Sequence, residues 1–387
     1  MDVAFGVTSI FFRGGVLVYP YLHPMKKDLA FAEIEINKPT PIKPGASYAS
    51  FTRGTGVMAT IKVLLSGKQV LIEEFYSNGL ELLSELQTYL RRKHPGQGFQ
   101  EQRAYRSEFR KLSSLVLIEI KDHQLAVKKA PSIGWLEKLY PESSNFLLTF
   151  PEVQGLNSAW QWHINGVVVP ALRNKVHPYY GVYFPTRFEH LQLFDNWLKR
   201  HNGPKKSAID VGIGSGILSL QLMKHGFQKS FGTDLNPNAI VGLRESMKGT
   251  KLAVKIELDY GHLFGKWIKP TELIVFNPPW LPASHDLGRL DDAIYYNDKL
   301  FPEFFQEAKK RLLPDGRIVL LFSNLGEITN VAKEHPIEKE LSDGNRFELD
   351  RFFKKSVKQA SSKTKRNQHW RDTEEVELWV LKHKVVG

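Results

Sequence analysis

The chain has 387 residues, 42% hydrophobic and 24% charged, with a formal net charge of +12 and no cysteine. Such a length points to two domains, since single cores rarely grow past about 250–300 residues, and the absence of cysteine excludes disulfides and thiolate metal sites. No apolar run approaches the roughly 18 residues a membrane span needs, and the N-terminal MDVAFGVTSIFFRGG lacks the basic start of a signal peptide, so a cytoplasmic protein with no membrane partner is expected.

The first ~150 residues read as mixed α+β. Val57–Leu65 and Gln69–Phe75 flank Ser66-Gly67-Lys68, which predicts a hairpin. Leu82, Leu83, Leu86 and Leu90 follow Asn78-Gly79 at the spacing of one helix face, and His94-Pro95-Gly96-Gln97-Gly98 breaks that helix. Leu115–Ile120 and Gln124–Lys128 predict a second hairpin around Lys121-Asp122-His123. No repeat and no catalytic constellation occurs here, so a structural or substrate-presenting role is expected. From Asn145 to Pro185 the text is strand-like and aromatic: FLLTF, then WQWHINGVVVPAL, then NKVHPYYG. His163 and His177 lie apart with no matching carboxylate cluster, so both read as packed or surface histidines and no metal site is expected. A helix is predicted over Phe188–Lys199, with Leu191, Phe194, Trp197 and Leu198 on one face, closed by Asn202-Gly203-Pro204.

From Lys205 strands and helices alternate. The strands are Ser207–Val211, Ser230–Thr233, Ala253–Leu258, Leu273–Phe276 and Arg317–Phe322. Between them fall helices over Gly216–His225, from Asn238, and through Phe301, Phe304, Phe305, Ala308 and Leu312, this last stopped by Pro314-Asp315-Gly316. Alternation at this spacing argues a doubly wound, mostly parallel α/β sheet. Arg346–Phe353 and Val376–Lys382 are joined by a polar loop without a helix, which predicts an antiparallel final pair. The chain is thus divided into an α+β domain over 1–144, a strand-rich connector and lead-in helix over 145–200, and a catalytic domain over 201–387.

Asp210-Val-Gly212-Ile-Gly214-Ser-Gly216 follows the first of these strands and opens a helix. Glycines permit a tight turn and close approach of a ligand, and the helix N-terminus offers unpaired N–H groups. Dinucleotide binding is the common reading of such a loop, but Asp210 at the strand end would repel a pyrophosphate. Asp234 ends the second strand, where a carboxylate can accept ribose hydroxyls; its bland reading is an N-cap for the helix after Asn236-Pro237. LIVFNPPWLP, Leu273–Pro282, ends a buried strand in an amide, two prolines and an exposed indole, a way to hold a flat amine-bearing group.

DVGIGSG, GTDLN and NPPW in this order resemble the class I S-adenosylmethionine-dependent methyltransferases. More narrowly they are similar to the small-domain N-methyltransferases: release-factor glutamine, ribosomal-RNA guanine and adenine-N6 enzymes. The likeness covers roughly Tyr180 to Lys384. It implies a seven-stranded Rossmann-like sheet with S-adenosyl-L-methionine as cofactor. Asp210, Gly212, Gly214 and Gly216 would meet the cofactor's amino-acid moiety, Asp234 its ribose and Leu235 its adenine, with Thr186 in the segment closing over the methionine end. Where the family has an acid after strand three, this chain has Gly261-His262-Leu263-Phe264 with Asp259 upstream, so either His262 or Asp259 would touch the adenine amine. Asn277 would lie beside the cofactor. With Pro278 as second acceptor and Pro279 stiffening the turn, it would hold the target nitrogen, while Trp280 would stack on the target.

Arg351 to Arg371 holds Arg351, Lys354, Lys355, Lys358, Lys363, Lys365, Arg366 and Arg371 with no acid, on the sheet edge that carries Asn277. A basic rim attracts phosphates, so Lys363, Lys365 and Arg366 are read as substrate-binding and nucleic acid, RNA over DNA, as the expected partner. A looser cluster, Arg91, Arg92, Lys93, Arg103, Arg106, Arg110 and Lys111, lies in the first part. The alternatives are a protein glutamine amide, a small-molecule amine, or a non-catalytic binding module.

Overall fold

The structure is a computed structural model and describes residues 34–43, 45, 47–96, 99–283, 294–357 and 373–384. The chain divides into two compact units, Met1–Trp162 and His163–Gly387.

The first unit is built on a five-stranded mixed sheet. Ala49–Phe51, Val70–Ile72 and Val116–Lys121 run parallel, while Gln124–Leu125 and Phe146–Thr149 pair antiparallel to Val116–Lys121. The expected hairpin at Ser66-Gly67-Lys68 does not form, because Val57–Leu65 is a helix. Its buried residues Thr60, Ile61 and Leu64 sit on one helical face, and the segment is the crossover that two parallel strands require. The turn at Asp122-His123 does form, with both residues at positive φ (49° and 58°) as a two-residue hairpin demands.

Leu82, Leu83, Leu86 and Leu90 are buried along the helix Tyr76–Lys93, each contributing about 1.5–3 kcal/mol. That helix starts before Asn78-Gly79 and ends at Lys93, as His94-Pro95 dictates. Phe99–Ser113 is a further helix with no counterpart in the pattern reading. The largest reversal is at WQWHIN, which lies in the helix Phe150–Asn165. Thr149 and Glu152 form a reciprocal capping box there: Glu152 Oε2 accepts from Thr149 N (3.1 Å), and Thr149 Oγ1 accepts from Glu152 N (3.3 Å). Gly166, at φ 67°, follows its last residue.

In the second unit the strands are β1 (Ser207–Val211), β2 (Lys229–Asp234), β3 (Ile256–Tyr260), β4 (Thr271–Phe276), β5 (Leu312–Ser323), β6 (Phe347–Ser356) and β7 (Glu375–His383). Their order is β6-β7-β5-β4-β1-β2-β3, all parallel except β7. This is the expected doubly wound sheet with an antiparallel final pair. The helices that pack on it are α1 (Glu189–Arg200), α2 (Ile217–Lys224), α3 (Pro237–Met247) and α4 (Leu300–Arg311). Leu273 and Val275 of β4 pack in one core cluster with Leu191, Phe194 and Leu198 of α1 and Leu222 of α2. Ile274 and Phe276 pack in the other with Phe301, Phe304, Phe305 and Ala308 of α4. Both faces are covered, so β4 reads as an unbroken apolar run.

Several boundaries move, among them the end of β6 from Phe353 to Ser356 and the start of β4 from Leu273 to Thr271. β3 begins at Ile256 rather than Ala253. Pro314-Asp315-Gly316 falls inside β5 as a register shift between Leu312 and Arg317, so Leu312 opens the strand instead of ending the helix. Among the described residues, no helix is long and apolar enough to cross a membrane.

Within the first unit, Gly79 lies against the buried Phe150 ring, where an added Cβ would sit 2.2 Å from its nearest atom. Gly79→Ala is expected to lower stability by about 1–3 kcal/mol despite alanine's better helix propensity. Urea unfolding checks this; an unchanged midpoint would mean the ring has room to move.

Candidate active site

β1 and β4 are neighbours in register, with Val211 opposite Phe276. The next residues, Gly212 and Asn277, therefore leave adjacent strands about 5 Å apart on the same edge. β2 pairs with the other side of β1, so the chain order reverses here, the switch point where open α/β sheets bind ligands.

The loop after β1 needs its glycines. Gly212, Gly214 and Gly216 have φ of 65°, 52° and 80°, the left-handed region that side chains avoid. A Cβ at Gly216 would also meet Leu243 at 2.7 Å. Asp210 is 1% exposed. Its Oδ2 accepts from the Ser219 amide (2.9 Å) and hydroxyl (2.7 Å) at the first turns of α2. Its Oδ1 is buried without a hydrogen-bond partner. Burial pushes this carboxyl up to about 7, with the Asp234 charge adding and the Ser219 hydrogen bonds opposing.

Asp234 braces the loop: Oδ2 accepts from Gly214 N and Oδ1 from Asn236 N, both at 2.7 Å. Burial raises its pKa as well. The N-cap of α3 is Asn236, whose side chain accepts from Asn238 N, so Asp234 is not the cap. Leu235 is 58% exposed beside it. A buried carboxylate oxygen without a hydrogen-bond partner, a glycine cradle and a strand-end aspartate suit the ammonium and ribose of S-adenosylmethionine.

Pattern reading overlooked Asn236 and Asn238 as anchors. Their side-chain amides donate to Gly181 O and Tyr180 O, each at 2.7 Å, and tie the segment before Thr186 onto α3. Arg187 is held by Glu374 at 2.5 Å, and Thr186 between these anchors is exposed. The sequence signal was Asn-Pro-Asn directly after Asp234-Leu235.

Near the end of β3, Asp259 Oδ2 accepts from Lys266 N (2.7 Å), tying the strand to the turn that follows. His262 Nε2 lies 3.0 Å from Glu303 Oε2. With that nitrogen donating, only Nδ1 is left to accept. His163 and His177 donate from Nδ1 to Pro178 O and His163 O. No group of three potential metal ligands occurs among the described residues.

After β4, Pro278 is buried and Asn277 and Pro279 are half-buried. Trp280 departs from expectation: it is half-buried against the core rather than exposed. Its Nε1 donates to Asn277 Oδ1 and Leu321 O, both at 3.3 Å. Its ring meets His190 of α1 edge to face, at 5.3 Å and 89°. His190 is 2% exposed, its Nδ1 has no partner, and burial pushes its pKa down to about 4, so it is neutral at pH 7. Lys363, Lys365 and Arg366 lie outside the described residues, and Lys354 of the same run pairs with Glu375 at 2.8 Å.

Raising a carboxyl's folded pKa from 3.8 to about 7 favours folding below the unfolded value and loses that contribution as pH rises through 7. The apoprotein is therefore expected to lose stability between pH 4 and 8, and Asp210→Asn to remove this slope and melt higher at pH 8. Conversely, a cationic ligand needs the ionised form, so cofactor affinity should climb across pH 6–8 in wild type and stay flat and at least about tenfold weaker in Asp210→Asn. Calorimetry at several pH values tests both; parallel profiles for the two proteins would remove Asp210 from the site.

Comparison with known proteins is consistent with this geometry. The family model of the methyltransferase small domain matches residues 191–347. A candidate protein N5-glutamine methyltransferase of Methanocaldococcus jannaschii is 27% identical over 44% of this chain and 86% of its own length. Ribosomal RNA small subunit methyltransferase C of Alcanivorax borkumensis is 32% identical over 35% of this chain, but over only 39% of its own length. Among solved structures, a ribosomal protein L11 methylase of Lactobacillus delbrueckii subsp. bulgaricus aligns with a TM-score of 0.35 and 19% identity, over 53% of this chain and 83% of that one. Residues 191–347 thus carry the match to the methyltransferase small domain, and the chain is an S-adenosylmethionine-dependent methyltransferase.

Proposed function

We propose that the chain methylates the nitrogen of a planar amine or amide, carried on nucleic acid and on RNA in the first place. The observation behind the nitrogen chemistry is the position of Asn277, one residue past the Phe276–Val211 pair and beside the glycine loop. The RNA assignment draws on the net charge of +12 and on basic residues of β6 that rise toward the same sheet edge. A protein glutamine amide is the second reading, favoured by the likeness to the Methanocaldococcus candidate N5-glutamine methyltransferase.

S-adenosylmethionine, when bound, supplies a methyl group made electrophilic by a positively charged sulfur. Asp210, the Gly212–Gly216 loop and Asp234 would hold it. The target's lone pair is delocalised into its ring or carbonyl and is a poor nucleophile. Asn277 Oδ1 and the Pro278 carbonyl would accept its N–H bonds, orient the lone pair and stabilise positive charge growing on nitrogen. The proton is then lost to water, so no general base is needed. Trp280 acts in this scheme less as a stacking plate than as a clamp: its N–H fixes which way the Asn277 amide faces. His190 is a positioning residue that holds the indole edge-on without adding a charge to the site.

Methyl transfer from labelled cofactor into RNA, DNA, protein and small-molecule fractions of a lysate tests the substrate class. Label confined to protein would favour glutamine over RNA. Asn277→Ala is expected to lose transfer by about 10²–10³-fold; undiminished label would exclude it from the chemistry. Trp280→Phe keeps the ring and deletes the donor, so kcat should fall about tenfold with KM nearly constant, one hydrogen bond's worth. His190→Phe should preserve kcat where His190→Ala lowers it; equal losses in both would point to general misfolding instead of positioning.

A further inference from the structure

A cavity of about 330 Å³ opens between α1 and β6, away from the glycine loop, lined by Leu193, Asn196, Trp197, Arg200, Arg351 and Phe353. Its walls follow from periodicity. Leu193, Asn196, Trp197 and Arg200 stand at i, i+3, i+4 and i+7 on α1, one stripe of the helix. Arg351 and Phe353 alternate on one face of β6, and Lys355 continues that face with its ammonium on Gln192 of α1 at 2.6 Å. The lining combines three apolar side chains with two guanidinium groups and one amide.

Those guanidiniums stand out against their surroundings. Among nearby cations, Lys199 pairs with Asp195 and Lys354 with Glu375, both at 2.8 Å, while Lys355 rests on the neutral Gln192 amide. Arg200 and Arg351 have no ion-pair or hydrogen-bond partner among the described residues. Register places the cavity relative to the reaction edge. Arg351 is level with Val380, Val319 and Val275, and Asn277 lies two residues beyond Val275. Arg351 therefore sits about 7 Å below the edge, with Lys355 two further steps up the same strand face, past Phe353.

We propose that this cavity is a flanking-nucleotide subsite: one base of single-stranded RNA lodges against Leu193, Phe353 and the edge of Trp197, and Arg200 and Arg351 hold its phosphates. Its volume is at the small end for ligand sites and suits one planar group. Arginine's planar fork matches phosphate bidentately, and the Asn196 amide can meet a base edge. A nucleotide combines an apolar plate with an adjacent anion, as the cavity does with walls and rim. The assignment rests on the RNA reading above.

The test uses the full chain and a fluorescein-labelled single-stranded oligouridylate of about twelve nucleotides, long enough to reach beyond one subsite. Arg200→Gln with Arg351→Gln removes two phosphate contacts. It should weaken binding at low salt and reduce the slope of log affinity against log salt by about 1.4, with cofactor affinity unchanged. Asn196→Trp fills the cavity and should weaken binding while leaving that slope intact. Wild-type affinity and slope in the double variant, or no wild-type binding to the oligonucleotide, would overturn the subsite. So would variants that bind RNA normally but lose methyl transfer into a protein fraction, which would hand the cavity to a protein substrate. The wild-type label distribution judges the RNA reading separately: label in protein alone sinks that reading, while the salt slope still decides the cavity.

Discussion

Everything at the reaction edge depends on the parallel pairing of β1 with β4. Val211 opposite Phe276 fixes where two loops of unrelated sequence leave the sheet, and neither loop could set that spacing alone. The pairing is held from both sides. Ile209 and Ile274 pack in the cluster under α4, while Ala208, Leu273 and Val275 pack in the cluster with α1 and α2. A slip of one residue would turn each of these side chains to the opposite face. The cores thus hold the site's register as well as the fold.

On that frame the chain maintains an electrostatic tension. A carboxylate with one buried oxygen unmatched is costly, and the Ser219 hydrogen bonds offset only part of the burial. Asp234 adds repulsion across the glycine loop. Under the proposed binding a cationic ligand would relieve both, so the residues that are costly to bury would also favour the cofactor. Beside Asn277 the described aromatic groups carry no charge: Trp280 bonds to its amide, and His190, edge-on to Trp280, is neutral at pH 7.

The catalytic half was readable because buried parallel strands appear as apolar runs and because Gly212, Gly214 and Gly216 have backbone conformations few other residues adopt. The N-terminal half misled where helix and strand share a composition. VMATIKVLL is apolar nearly throughout, and only the parallel partners on either side make it a crossover. The helix at Phe150 was legible in Thr149-Phe-Pro-Glu152, a capping box obscured by the aromatic text after it. The burial of Trp280 was not legible. It depends on His190, ninety positions upstream, and on the Leu321 carbonyl of the next strand.

The indole bond to Asn277 has a stoichiometric consequence. An amide oxygen carries two lone pairs, and one of them is taken by Trp280 Nε1. One remains, and the Pro278 carbonyl adds a second acceptor for a substrate. A primary amine or amide brings two N–H groups and satisfies both; once methylated and deprotonated it brings one and leaves an acceptor empty. Under the proposed chemistry, the arithmetic of lone pairs favours a first methyl over a second, and the turn counts hydrogens as well as aiming the nitrogen.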